Sequence, residues 1–301
     1  MELWIPITIV AAFCQNLRSA LQKHLKGKLS TGGATYVRFF YAWPFAVIYV
    51  WALNEWGGMA YPAVNTKFLV YCVLGGLSQI IFTGLLVWLF SFRNFAVGTT
   101  FSKTETVQVA LLGFLLLGDT LSTGAILAIF ISVMGVMAMS VAQTNISVRS
   151  LFVGLVEKST LIGLASGLFL GGSVVFFRGA ALALEYDGFI MAAAYTLAIS
   201  VVTQTVIMGI YLLWREPGQM RAVLVNWKWA GAVGVAGVLG SVAWFTAFTL
   251  ENAALVRAVG QIELVFTFIA SAVFFREKST RLEIMGILLV IAGILLILYV
   301  R

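Results

Sequence analysis

Ten long apolar runs occupy most of this 301-residue sequence and leave only short polar segments between them. A helix needs about 20 apolar residues to cross a bilayer. Backbone groups left unpaired in lipid are costly, so each run is predicted to be an α-helix. No stretch remains that is long enough for a soluble domain. The runs lie at residues 3–24, 34–53, 67–92, 95–117, 121–141, 160–182, 188–213, 228–249, 253–275 and 282–300.

The composition agrees with a multi-pass membrane protein and excludes several other classes. Hydrophobic residues make up 61% of the chain and charged residues 10%, whereas soluble domains are roughly half apolar and about a quarter charged. Cys14 and Cys72 lie in apolar runs, and the single histidine, His24, ends the first run. We therefore predict no disulfide, metal site or cofactor. The formal charge of +7 comes largely from short loops, which indicates membrane topology and not nucleic-acid binding.

The second half of the chain repeats the first at a shift of 158 residues. At that shift, seven residues of the first half fall on an identical or chemically similar residue of the second. The pairs are Phe90 and Phe248, Asn94 and Asn252, Ala96 and Ala254, Glu105 and Glu263, Asp119 and Glu277, Ser122 and Thr280, and Gly135 and Gly293. We predict two five-helix repeats, residues 1–142 and 159–301, joined by a polar linker at 143–158.

An odd number of helices in each repeat predicts that the second repeat crosses the membrane in the opposite orientation. The loop charges agree with this inversion. Twelve Lys and Arg residues lie in loops after odd-numbered runs, against two in the other loops and termini. Positive residues concentrate on the cytoplasmic side, so both termini are predicted to lie outside. Inverted repeats of this kind are typical of secondary transporters.

Each repeat ends in a short helix, an acidic turn and a glycine-bearing last helix, a pattern that resembles the EamA branch of the drug/metabolite transporter superfamily. The resemblance rests on Asn94 to Gly118-Asp119 followed by Gly135, and on Asn252 to Arg276-Glu277 followed by Gly293. It covers essentially the whole chain. It implies an all-α, ten-helix basket around a central cavity, and transport, often export, of a small metabolite.

The proline that is usual in the fourth and ninth helices of the family is absent here. The corresponding positions are occupied by Lys103-Thr104-Glu105 in the fourth helix and Gln261-Ile262-Glu263 in the ninth. We expect an integral protein of the inner (plasma) membrane of a bacterium. Its expected partners are a small-molecule substrate and the lipid bilayer, with no nucleic acid. Both a monomer and a homodimer fit the sequence.

Charged residues inside the predicted spans are the first candidates for function, because each costs about 2.5–3.5 kcal/mol near the bilayer centre. Such a residue must face a wet cavity or pair with another charge. The alternative to a binding or coupling role is an internal salt bridge that locks helices together. The seven are Arg18, Arg38, Lys103, Glu105, Arg178, Arg257 and Glu263.

The repeat makes the acidic members of this set stand out. Glu105 and Glu263 are equivalent at the 158-residue shift, which favours substrate binding or coupling. Lys103 and Gln261 are also equivalent at this shift. Because one is a cation and the other a neutral amide, the two repeats differ here, which predicts an asymmetric ligand site. Gln108 lies three residues after Glu105 and shares its helix face.

The arginines and three aromatic residues complete the predicted site. Arg18 and Arg178 are predicted to bind substrate. Arg38 and Arg257 lie near the ends of their runs and are predicted to gate the two mouths of the cavity, with snorkelling to the interface as the alternative. The residues predicted to form cavity wall, because their neighbours are small or polar, are Trp88, Tyr195 and Trp244.

Five basic against two acidic residues in the spans favour a ligand that carries carboxylate or phosphate. The sequence therefore predicts a secondary transporter, expected to export an anionic or zwitterionic solute such as an amino acid or organic acid by alternating access. No ATP-binding motif occurs, and no nucleophile–base pair suggests an enzyme. Proton coupling and facilitated diffusion both stay open. The alternatives are a non-transporting scaffold or solute sensor and, less favoured by the charges, an exporter of cationic drugs.

Overall fold

The computed structural model describes residues 2–25, 28–89, 92, 95–144, 157–274 and 280–300. These residues form fourteen α-helices and no strand longer than a single bridge. Those of the first half are α1 (Trp4–Leu25), α2 (Thr31–Phe40), α3 (Trp43–Glu55), α4 (Thr66–Leu89), α5 (Phe95–Ser102), α6 (Glu105–Leu117) and α7 (Thr123–Thr144). Those of the second half are α8 (Lys158–Ala183), α9 (Phe189–Arg215), α10 (Pro217–Val225), α11 (Trp227–Leu250), α12 (Ala253–Gly260), α13 (Ile262–Phe274) and α14 (Arg281–Val300).

The all-helical, multi-span prediction is confirmed in this coarse form. Seven helical stretches of the described residues are long and apolar enough to cross a membrane. They are Thr31–Glu55, Thr66–Leu86, Thr123–Ala142, Lys158–Ala183, Phe189–Arg215, Trp227–Leu250 and Arg281–Val300. The predicted spans at 3–24, 95–117 and 253–275 are not among them, so ten spans stay a prediction. The first of these three is the helix α1, and the other two are each divided into two short helices.

Three predicted spans are interrupted, and local chemistry explains where. The α2–α3 interruption at Tyr41-Ala42 precedes Pro44, whose missing N–H is tolerated in the first turn of α3. At the α5–α6 interruption, the Lys103 and Thr104 N–H groups bond to carbonyls three residues back, each over 3.1 Å. The Gln261 N–H does the same between α12 and α13, over 3.2 Å. These tighter turns end one helix and let the next begin at a new angle.

The helix bounds recur at the 158-residue shift seen in the sequence. Adding 158 to the bounds of α5, 95–102, gives 253–260, which are the bounds of α12. The two halves differ at the second predicted span, because α2–α3 is interrupted and its counterpart α9 is continuous. The inverted orientation and the repeat boundaries stay predictions. Residues 145–156 of the predicted linker lie outside the described residues.

The helices form two compact units, each of which takes helices from both halves of the sequence. Unit 1 comprises Met1–Ile80 and Phe176–Leu250, and unit 2 comprises Ile81–Val175 and Glu251–Arg301. The long helices α4 and α8 each contribute one end to each unit. Contact units are therefore not sequence repeats in this protein.

Unit 1 is built around α9 and α11. The helix α1 packs along α11, and α9 contacts α2, α3 and α11. The short helix α10 is joined to the start of α2 by hydrogen bonds. The Ser30 hydroxyl accepts from the Gly33 N–H (3.0 Å) and donates to the Glu216 carboxylate, and the Ser30 N–H donates to Gln219 Oε1 (2.8 Å). These contacts cap α2 and hold in place the helix that carries Arg38.

Unit 2 is organised by a close contact between α7 and α14. A Cβ atom at Gly135 would lie 2.6 Å from the Gly286 carbonyl oxygen, and one at Gly293 would lie 2.8 Å from Ser132 Cβ. Glycine at these positions lets the two backbones approach, as small residues do between membrane helices. The glycines that carried the family resemblance in the last helix of each repeat thus serve helix packing.

We predict that Gly135→Val destabilises the protein much more than Gly84→Val. The added side chain would overlap backbone of α14, and overpacking costs about 1–3 kcal/mol. At Gly84 a Cβ would meet nothing within 4 Å, and both variants carry the same cost of placing valine in a helix. The measurement is the melting temperature of the purified protein in detergent. Equal losses at the two positions would contradict the packing argument.

Candidate functional site

The first of two polar centres lies in unit 2, where side chains join two interrupted predicted spans. Arg257, in the last turn of α12, donates a hydrogen bond to the carboxylate of Glu105, the first residue of α6. Their side chains are 11% and 6% exposed, so the ion pair is buried. Helix dipoles favour this arrangement, with a carboxylate at a helix N-terminus and a cation at a C-terminus.

Two further interactions extend this group, which we call the helix-break cluster: Glu105, Thr106, Arg257, Gln261 and Glu263. The side-chain amide of Gln261 donates to the Thr106 hydroxyl over 3.2 Å. The negative charge of Glu263 also acts on Arg257, so two carboxylates share the field of one guanidinium. The cluster connects α6 with α12 and α13 and compensates buried charge within unit 2.

The structure thus brings together residues that the sequence assigned to different roles. Glu105 was predicted to bind or couple and Arg257 to gate, yet the two form one ion pair. Lys103 lies half-buried at the α5–α6 interruption. Gln108 donates to the Thr104 hydroxyl over 3.1 Å, and its buried Oε1 has no hydrogen-bond partner in the described part of the chain.

The second polar centre is a cavity inside unit 1, which we call the arginine cavity. Its polar lining consists of Arg38 from α2, Gln79 from α4, Gln204 from α9 and Ser241 from α11. Its volume is about 30 Å³, enough for about two water molecules. Ala42, at the α2–α3 interruption, also lines it.

The arginine cavity is electropositive. Arg38 is the charged residue of the lining, and the positive charge of Arg18 acts on it. No carboxylate is among the described lining residues. The Arg38 guanidinium lies 5.4 Å from the centroid of the Phe39 ring, which stabilises a cation only modestly, by about 0.5–2 kcal/mol. An anion in the cavity would supply the negative charge that this lining lacks.

Three other predicted site residues lie elsewhere in unit 1. The Trp244 indole N–H donates to Gln15 Oε1 over 3.1 Å, and its ring stacks on Phe248. Arg178 donates to the Phe248 carbonyl oxygen over 2.6 Å. That carbonyl lies in the last turn of α11, where carbonyls lack partners within their helix, so Arg178 caps the helix. Tyr195 packs on the Phe68 ring, with 5.9 Å between centroids.

Trp88 in unit 2 has surroundings typical of a membrane interface. Its side chain is 47% exposed, and the Lys158 ammonium lies 5.2 Å from its ring centroid. Phe92 contacts the same ring, with 5.7 Å between centroids. Amphipathic aromatic side chains beside lysine commonly occupy the headgroup level.

Sequence reasoning missed two lining residues of the arginine cavity, Gln204 and Ser241. Neither residue carries a charge, and neither has an equivalent charged residue in the other repeat. Gln204 lies between Thr203 and Thr205 in an apolar run, and Gln79 interrupts another. An amide inside a span also needs a polar partner, so the rule used for charged residues would also have pointed to Gln204.

Comparison with known proteins gives a family for the second half of the chain and a fold for the whole. Residues 158–299 match the EamA-like transporter family. A solved structure titled "Crystal structure of protein" aligns with a TM-score of 0.71 and 13% identity, over 99% of this chain and 98% of the other. At that identity the similarity concerns the fold alone. No curated protein sequence matches this chain.

The buried ion pair makes a prediction for stability. Glu105→Gln leaves Arg257 without its closest carboxylate, and removing one partner of a buried pair costs about 3–5 kcal/mol. The double variant Glu105→Gln/Arg257→Gln leaves no unpaired guanidinium and is expected to recover part of the loss. A double-mutant cycle of melting temperatures measures the coupling. Glu263→Gln, which removes the weaker of the two charge interactions, is the control and is expected to cost less. Strictly additive losses would contradict the pairing.

Proposed function

We propose that the chain is a transporter of the EamA-like family, whose model matches residues 158–299, and that it is a secondary transporter of a small anionic or zwitterionic metabolite. It is a multi-pass integral membrane protein. A non-enzymatic function is consistent with that family. We further propose that it works by alternating access, exports its substrate and resides in the inner membrane of a bacterium.

The observation that carries the proposed substrate class is the uncompensated guanidinium in the arginine cavity. Arg38 lines this cavity in unit 1 together with amide and hydroxyl groups, and Arg18 adds positive potential. A guanidinium presents a planar fork of N–H donors that matches the two oxygens of a carboxylate. Desolvated charge-assisted hydrogen bonds of this kind are stronger than neutral ones, so a carboxylate is the group that this lining recognises best.

The carboxylates of unit 2 also bear on the proposed substrate class, because their environment differs from that of Arg38. Glu105 is neutralised by Arg257 within the helix-break cluster, and so does not offer a free negative site for a lipophilic cation. The cluster keeps one carboxylate in excess, Glu263, whose charge acts on the same guanidinium, whereas the described lining of the arginine cavity holds a guanidinium and no carboxylate. This difference favours an anionic substrate over a cationic drug.

The size of the arginine cavity supports a transport cycle with conformational change. A volume of about 30 Å³ is too small for most metabolites, which occupy pockets of about 300 Å³ or more in their binding proteins. The lining helices must therefore separate to admit a ligand. The α2–α3 interruption borders the cavity at Ala42, and interrupted helices are where transporters commonly place binding sites and hinges.

We predict that Arg38→Gln raises the KM for carboxylate substrates about 10- to 100-fold, the loss expected for a hydrogen bond to a charged group. Arg38→Lys should retain part of the affinity, because it keeps the charge and loses the fork. The assay is uptake of radiolabelled organic acids and amino acids into proteoliposomes. Arg221→Gln, which removes an exposed arginine of α10, is the matched control.

Transport of cationic dyes that is unaffected by Arg38→Gln, with carboxylates ignored, would contradict the proposal. Binding of carboxylates without their movement across the bilayer would favour the alternative function, a solute sensor. Purified protein in detergent reports binding, and proteoliposomes report movement, so the two functions are separable.

Coupling to protons is proposed at the helix-break cluster, because two carboxylates there share one guanidinium. Glu263 is the member whose replacement leaves the Glu105–Arg257 pair in place. Glu263→Gln is expected to weaken the dependence of uptake on a proton gradient while leaving uptake down a substrate gradient intact. Glu55→Gln, at an exposed position, is the control. An unchanged pH profile would favour facilitated diffusion.

A further inference from the structure

The arginine cavity holds a second polar feature beside its guanidinium. Gln204 donates from Nε2 to Gln79 Oε1 over 2.7 Å, which fixes the orientation of the Gln204 amide. Gln204 is 3% exposed and lines the cavity. Its remaining acceptor, Oε1, has no hydrogen-bond partner in the described part of the chain. A ligand hydroxyl that donates to this oxygen would gain one hydrogen bond.

The charge balance limits what kind of donor fits there. Arg38 and the nearby Arg18 give the cavity positive potential, and no described lining residue is acidic. A monoanion would offset one positive charge, whereas a zwitterion offsets none. An ammonium group would also bring three N–H donors and a positive charge into this field. A hydroxyl brings a single donor, which Gln204 Oε1 can accept alone.

We infer that the substrate is a small 2-hydroxy carboxylate, whose carboxylate binds Arg38 and whose hydroxyl donates to Gln204 Oε1. This inference rests on the proposed function and narrows its substrate class. Gln204 is then a specificity-determining residue: Arg38 selects the carboxylate, and Gln204 selects the neighbouring hydroxyl.

The test compares three acids that share a three-carbon skeleton and differ only at carbon 2. L-Lactate carries a hydroxyl there, propionate carries hydrogen and L-alanine carries an ammonium group. Binding of each to the purified full-length protein is measured by isothermal titration calorimetry and checked by competition for uptake in proteoliposomes. We expect L-lactate to bind about tenfold more tightly than propionate, the order expected for one neutral hydrogen bond, and more tightly than L-alanine.

Variants at Gln204 test the proposed contact directly. Gln204→Leu is expected to lower the affinity for L-lactate much more than the affinity for propionate, so that the two acids bind about equally. Gln204→Glu adds a negative charge to the same position and is expected to shift the preference from L-lactate toward L-alanine. It also keeps an acceptor there, so the test stands if the leucine variant fails to fold. Thr205→Val is the matched control, because the Thr205 hydroxyl donates to the Val201 carbonyl oxygen of its own helix.

The outcomes separate this inference from the proposed function. Equal affinity for L-lactate and propionate, or a preference for L-alanine, would overturn the inference and leave an anion or zwitterion transporter standing. A lactate preference that survives Gln204→Leu would overturn the role of Gln204. Loss of all carboxylate binding in Arg38→Gln, together with the expected selectivity series in the wild type, would support both proposals.

Discussion

A charge inside a hydrocarbon layer is stable only where an opposite charge, an unsatisfied backbone carbonyl or a polar cavity replaces its water. This protein uses all three solutions. Arg257 is paired with Glu105, Arg178 caps the last turn of α11, and Arg38 lines a polar cavity. The first two arginines each have a hydrogen-bond acceptor within the protein. The third has no carboxylate in the lining around it, and for this reason the proposed ligand site is placed there.

Interrupted helices make these arrangements available. A continuous helix satisfies all its backbone groups internally, whereas each interruption leaves free N–H and carbonyl groups at membrane depth. The helix-break cluster lies at such helix ends, since Glu105 begins α6 and Arg257 lies in the last turn of α12. The α2–α3 interruption borders the arginine cavity at Ala42. Local backbone chemistry therefore decides where polar side chains can be gathered in an otherwise apolar fold.

The two polar centres differ in charge. The helix-break cluster holds two carboxylates, Glu105 and Glu263, and one guanidinium, Arg257. The arginine cavity is lined by one guanidinium and by the amides of Gln79 and Gln204. We propose coupling at the first centre and substrate recognition at the second. Close glycine contacts, such as Gly135 with α14, give the surrounding helices the backbone proximity that a stable scaffold needs.

Much of the fold could be predicted from the sequence, because the bilayer imposes a simple rule on each stretch of chain separately. Apolar length determined the helical stretches, and the recurrence at 158 residues foresaw that α5 and α12 would have equivalent bounds. Charged residues in spans, including Glu105 and Arg38, were singled out because each needs a partner or a cavity. Which of those two solutions each one adopts was not predictable, because partners come from helices far apart in the chain.

Only the tertiary structure decided that Arg257 pairs with Glu105, that Arg178 reaches a carbonyl, and that Gln204 joins Gln79 beside Arg38. Burial of an apolar helix face depends on its own residues, so the chain reveals it by itself. The satisfaction of a buried polar group depends on the distance and direction of a partner that the chain does not bring near in sequence. Hydrogen bonds are short-ranged and directional. The partners of these polar groups could therefore be assigned only from the positions of the packed helices.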